Sequence, residues 1–189
     1  VVIDGTKQNT DFMRSEEFLY LDGGNATGFI KPYHENRYSF MALLPKEGTS
    51  IGDYIGALTG EVLLDTINKA ENTNVNVSIP KFTYEYEAEL NDILKALGMP
   101  LGFDSGLADL AKLGKSTRGN IFIGEVLHKT FISLDELGTK AGAVTKVTMK
   151  DESAVMDLKT VILDRPFVYA IIDNSANLPV FIGTVMDLR

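Results

Sequence analysis

The stretch His128-Lys129-Thr130-Phe131-Ile132-Ser133-Leu134-Asp135-Glu136-Leu137-Gly138-Thr139-Lys140-Ala141-Gly142-Ala143 carries two patterns end to end. Up to Leu134 the side chains alternate as on a strand. Val126, His128, Thr130, Ile132 and Leu134 share one face, and Leu127, Lys129, Phe131 and Ser133 the other. The spacing predicts a long strand over 121–134. Beyond Gly138 the period of two continues in a different composition. Thr139, Ala141, Ala143, Thr145, Val147 and Met149 alternate with Lys140, Gly142, Val144, Lys146, Thr148 and Lys150. One face is small or apolar, and the other carries three lysines. The small residues come first, so the segment can slide into a packed sheet with little steric conflict. On pattern alone an ordinary edge strand with a solvated lysine face is the simpler explanation. The interval 137–165 nevertheless lies between two strong strands, and an insertion of that length in a compact domain is usually functional or disordered.

Downstream, Phe167–Ile172 and Pro179–Met186 are predicted strands joined by a turn at Asp173-Asn174-Ser175. Upstream, Tyr38–Leu44 is a short apolar run stopped by Pro45, which suits a strand buried on both faces. Glu17–Leu21 reads as a strand entering an Asp22-Gly23-Gly24 turn. Ser50 with Asp53 forms a box-like helix start, and a second short helix follows Gly60. Val75, Val77 and Ile79 alternate with polar residues, and Phe82, Tyr84 and Tyr86 continue the period beyond Pro80, predicting a strand pair broken at the proline. Leu90, Ile93, Leu94 and Leu97 line one helix face that Gly98 and Pro100 end. Residues 101–120 are irregular. Strand outweighs helix and the two are segregated, so the fold class is α+β.

Composition narrows the chemistry. The 189 residues contain no Cys, which excludes disulfides and cysteine-ligated metal or redox sites. With only His34 and His128 as imidazoles, no metal site or other cofactor is expected. A net charge of −8 argues against nucleic acid as a partner, and no apolar run is long enough to span a membrane. Ser153, His128 and Asp135 could be grouped as a triad, but no glycine-flanked nucleophile turn surrounds Ser153, so an enzyme is not expected. Glu85, Glu87 and Glu89 read as a solvated face, and Asn25 and Asn76 head formal glycosylation sequons.

The 128–143 stretch closely resembles the hinge signature of the serpins. Asp164-Arg165-Pro166-Phe167-Val168-Tyr169 resembles that family's second signature, just after its reactive loop, and Pro179–Val185 its last buried strand. Val77–Phe82, Leu90–Gly98 and Phe40–Pro45 are similar to family elements in the same order. The likeness runs from about Phe12 to Met186 and implies a serpin fold of which this chain is the C-terminal half, residues 1–189, with a reactive loop over about 138–165. The start at Val1 without a Met fits an incomplete domain.

The resemblance implies an inhibitor that acts as a suicide substrate. A protease cuts the loop, and the loop then inserts into the main sheet and traps the acyl-enzyme. The hinge would be Gly138, Thr139, Lys140, Ala141, Gly142 and Ala143. Lys140 replaces the family's usual Glu, and Val144 a smaller residue. The reactive bond falls at Glu152–Ser153 when counted from Glu136, or at Val155–Met156 when counted back from Pro166. The first implies a serine protease specific for acidic residues, the second an elastase-like one. A cysteine protease is a further target class. His128 matches the histidine where the main sheet parts, or is simply a satisfied core imidazole. Lys81 and Glu136 match an ion pair at the top of that opening. The other implied partner is the N-terminal half of the same domain, and the family role implies an extracellular location. The alternative is a non-inhibitory serpin acting as a binding, carrier or chaperone protein.

Overall fold

A computed structural model describes residues 7–135 and 158–188. The described chain divides into a larger unit, which includes residues up to Phe82 and those from Ser133 onward, and a smaller one, Thr83–Ile132.

The larger unit is built on a seven-stranded sheet. Its strands in chain order are β1 (Phe12–Asp22), β2 (Ala26–Pro32), β3 (Tyr38–Pro45), β4 (Glu71–Pro80), β7 (Lys159–Ile162), β8 (Phe167–Asp173) and β9 (Leu178–Val185). Spatially they run β7-β4-β1-β2-β3-β8-β9. Every pairing is antiparallel except β4 with β7. β3 is an interior strand between β2 and β8, and all its residues after Tyr38 are buried, as its unbroken apolar run predicts. On one face, helices α1 (Ile51–Ala57) and α2 (Gly60–Asn68) pack Ile51, Tyr54, Leu63 and Ile67 against Leu21, Ile30, Met41, Leu43 and Val168. The other face is aromatic: Phe40 stacks on Tyr169 (centroids 6.3 Å apart), and Tyr169 on Phe181 (6.0 Å).

Local chemistry sets these elements. Ser50 Oγ accepts from the Asp53 amide at 3.0 Å, and Thr59 Oγ1 from the Val62 amide at 3.2 Å, so each helix starts on a side-chain cap. The β8–β9 hairpin closes on Asp173, whose carboxylate accepts from the Ser175 hydroxyl (2.6 Å) and amide (2.9 Å). These bonds hold its pKa below the usual carboxylate value. Two glycines make close packing possible. A Cβ on Gly28 of β2 would overlap the Ala42 carbonyl oxygen of β3, and one on Gly183 of β9 would lie 2.6 Å from the Tyr169 hydroxyl. Strand β2, with few apolar signals, was not foreseen from sequence; Gly28 is the reason it can lie so close to β3.

The smaller unit contains most of β5 (Phe82–Glu89), the helix α3 (Asn91–Ala96) and most of β6 (Leu127–Leu134), with β5 and β6 forming a two-stranded sheet. The predicted break at Pro80 separates β4, which ends there, from β5, which begins at Phe82, and the two strands belong to different sheets. Gly98, at φ +106°, ends α3 in a Schellman arrangement, with Gly98 N donating to Lys95 O and Met99 N to Leu94 O. The predicted strand 121–134 is shorter than expected and begins at Leu127. Before it, the Ile123 amide donates to Gly102 O and the Val126 amide to Asn91 Oδ1, which takes those donors out of any ladder.

Candidate functional site

The candidate site is the segment that leaves β6 and enters β7. Its proposed working residues, Glu136, hinge residues Gly138–Ala143, and reactive-bond residues Glu152, Ser153, Val155 and Met156, lie outside the described residues. So does the alternation of 139–150. The structure defines the two ends.

The downstream end is firmly held. β7 lies within the interval read as loop, so the strand corrects its downstream limit. Its four residues pair in parallel with β4, Val75↔Lys159 through Ser78↔Ile162. Val161 is buried, and Leu163, also buried, donates its amide to Ser78 O at 2.9 Å. Lys159 Nζ stands 5.6 Å from the centroid of the Tyr20 ring, a cation–π contact. Burial, then the charge of Asp22, raises the Tyr20 pKa against the lowering effect of Lys159. Arg165 fixes the exit from β7: Nε and Nη2 donate to the Pro45 carbonyl at 3.2 and 2.9 Å, while Nη1 meets Asp164 at 2.9 Å. Phe167 follows, buried edge-on against Phe82 at 6.0 Å. The Asp-Arg-Pro-Phe run therefore ties the segment's end to the last residue of β3.

The upstream end is held differently. In β6 only Ile132 and Leu134 are buried, both on the face that the alternation groups with Val126, His128 and Thr130. Lys129 Nζ bridges to Glu87 of β5 at 2.8 Å. Asp135 has a buried carboxylate oxygen without a hydrogen-bond partner among the described residues. His128 is exposed in this chain. Lys81 lies 3.7 Å from Asp11, and its amide donates to Asp11 O. Sequence reasoning missed both Asp11 and Tyr20, because neither lies near its partner in sequence nor belongs to a motif.

Among the described residues no group of His, Asp and Glu is arranged to hold a metal ion, and no helix is long and apolar enough to cross a membrane.

Comparison with known proteins gives the same pattern at larger scale. The chain is 32% identical over 157 residues to intracellular coagulation inhibitor 2 of Tachypleus tridentatus, covering 83% of this chain and 38% of that protein. It superposes on the native state of tengpin, a thermophilic serpin, with TM-score 0.88 and 54% identity, over 99% of this chain and 48% of the other. Against tengpin's latent state the TM-score is 0.80 at 48% identity, over 100% of this chain and 50% of the other. The chain thus spans less than half the length of that curated relative and about half of these structures. The Serpin (serine protease inhibitor) family model matches residues 1–188, taking in both sheets and both ends of the segment, and the chain belongs to the serpin family.

Proposed function

We propose that this chain is the C-terminal half of an inhibitory serpin domain, working as a suicide substrate rather than as an enzyme. The supporting observation is the composition of the hinge. Thr139, Ala141 and Ala143 form the inward face, with no proline and no bulky charged residue on it. Such a face can enter a sheet quickly, and its backbone gains hydrogen bonds as it does so. Lys140 and Val144 fall on the outward face and should have little effect. The segment enters β7, which Arg165 ties down at its far end. With that end tied down, insertion in this reading starts from the hinge side.

The reactive bond in this reading is Glu152–Ser153, with Val155–Met156 as the second assignment, and the target is correspondingly a protease specific for acidic residues or an elastase-like one. The N-terminal half of the domain supplies the strands that flank the inserted loop. His128 lies where those strands would part. Glu136 would offer Lys81 a second carboxylate beside Asp11, and Glu136→Lys should favour polymers. Unchanged monomer after mild heating would count against that role.

The test is incubation of the full-length protein with each protease. An SDS-stable covalent band, with mass spectrometry fixing the bond, supports inhibition. Clean loop cleavage without the band supports a non-inhibitory binding, carrier or chaperone role.

A further inference from the structure

Between Phe103 and Leu127 the described chain forms no helix or strand. Within it, residues 109–119 form a loop closed at the neck. Asn120 Nδ2 donates to the Ala108 carbonyl at 2.7 Å, and Ala108 is buried. Beyond that neck every residue from 111 to 120 is exposed. A compact loop with tied ends and an exposed tip is the geometry of an Ω-loop.

The tip has a weak point. The Leu113 amide donates to Leu110 O at 2.9 Å, and the Arg118 amide to Ser116 Oγ at 3.1 Å, so both flanks are turned. No hydrogen bond among the described residues engages the amides of Gly114, Lys115 or Ser116. A protease reads its substrate by adding it as an extended strand, which requires such free backbone.

The side chains match one class of protease. Most described cations are engaged: Lys31 with Glu17, Lys46 with Asp22, Lys69 with Asp65, Lys95 with Asp92, and Lys129 with Glu87. Lys112, Lys115 and Arg118, all exposed, form no ion pair among the described residues. Three free cations within seven residues of an acidic chain are available to an acidic specificity pocket.

We propose that residues 109–119 are a second cleavage loop, at which a Lys/Arg-specific serine protease hydrolyses the Lys115–Ser116 bond. Water adds across the peptide C–N bond, leaving a carboxylate on Lys115 and an amino group on Ser116, and the protease is regenerated. The acyl group lies outside the segment 136–157, so this protease turns over and is not trapped. The site and the protease class both differ from those of the proposed inhibitory reaction, so either can fail without the other.

The test is digestion of the full-length protein with substoichiometric trypsin, followed by mass spectrometry over time. The first new N-terminus should be Ser116, without an SDS-stable trypsin band. Lys115→Gln should slow that cut by more than about tenfold and leave the melting temperature unchanged. A first cut anywhere else, an SDS-stable trypsin complex, or an unchanged rate in Lys115→Gln would overturn the proposal.

Discussion

In β3 every residue from Ser39 to Pro45 is buried, whereas in α3 none is. β3 carries an unbroken apolar run and α3 an apolar stripe of helical period. The seven-stranded sheet covers β3 on both faces, by helices on one and aromatic rings on the other, while its edge strand β9 leaves Leu178, Val180 and Ile182 more than half exposed. In residues 83–132, Ile93, Leu97, Leu101, Leu107 and Phe131 are all more than half exposed, and Leu97 reaches 76%. Scattered exposed leucines are ordinary, but a concentration of them marks a surface with a partner. The difference teaches that a helix or strand can be fully specified by its own sequence while its packing is specified by another. In the reading proposed above, the other half of the serpin domain covers these five apolar side chains.

The comparison makes its strongest prediction for truncation. Leu43→Ala, in the core of the sheet, should lower stability by about 3 kcal/mol, while Leu97→Ala should change it by less than about 0.5 kcal/mol in the isolated 189-residue chain. Chemical denaturation of both variants measures this, and equal losses would break the comparison. Glycines provide the next contrast. Gly28→Ala forces a methyl group onto the Ala42 carbonyl and should cost about 2–3 kcal/mol. Gly124→Ala meets no atom within 4 Å and should be nearly neutral. Matched thermal melts would separate the two.

The two ends of the reactive segment give a smaller effect. Arg165→Met removes both hydrogen bonds to the Pro45 carbonyl and should cost about 1–2 kcal/mol. Hydrogen exchange should show the loss concentrated in β7, with β6 unaffected. A loss spread evenly over both strands would mean that Arg165 does not anchor the downstream end.

The smallest effect lies within the core. The Tyr54 hydroxyl is buried and has no hydrogen-bond partner among the described residues. Tyr54→Phe should therefore be neutral or stabilising by up to about 1 kcal/mol. Burial raises the pKa of Tyr54, and of Tyr20 together with the charge of Asp22. A raised folded-state pKa means that stability is complete below the unfolded value of 10.0 and falls as pH rises above it. Melting temperatures should drop more steeply above pH 10 for the parent than for Tyr54→Phe.

Much of this architecture was legible in the sequence because local chemistry wrote it there. The Ser50–Asp53 cap, the unbroken apolar run of β3, the Gly98 stop and the Asp173–Ser175 turn each act within a few residues. What was not legible depended on distance. β2 rests on a close approach between Gly28 and Ala42, β7 on pairing with a strand 84 residues earlier at Val75↔Lys159, and the shortened start of β6 on Asn91 capturing the Val126 amide. At the candidate site the hinge composition and Arg165 were visible as motifs. The Pro45 carbonyl that Arg165 grips, the Tyr20 ring under Lys159 and the exposure of His128 were not, since each is decided by which strands become neighbours.

The central claim is that the segment between β6 and β7 inserts as a strand once it is cut. The most direct measurement is the melting temperature of the full-length protein before and after cleavage within residues 138–157. Insertion adds a hydrogen-bonded strand to the main sheet and should raise the melting temperature substantially. A cleaved protein that melts at the same temperature as the intact one, or lower, would contradict the account.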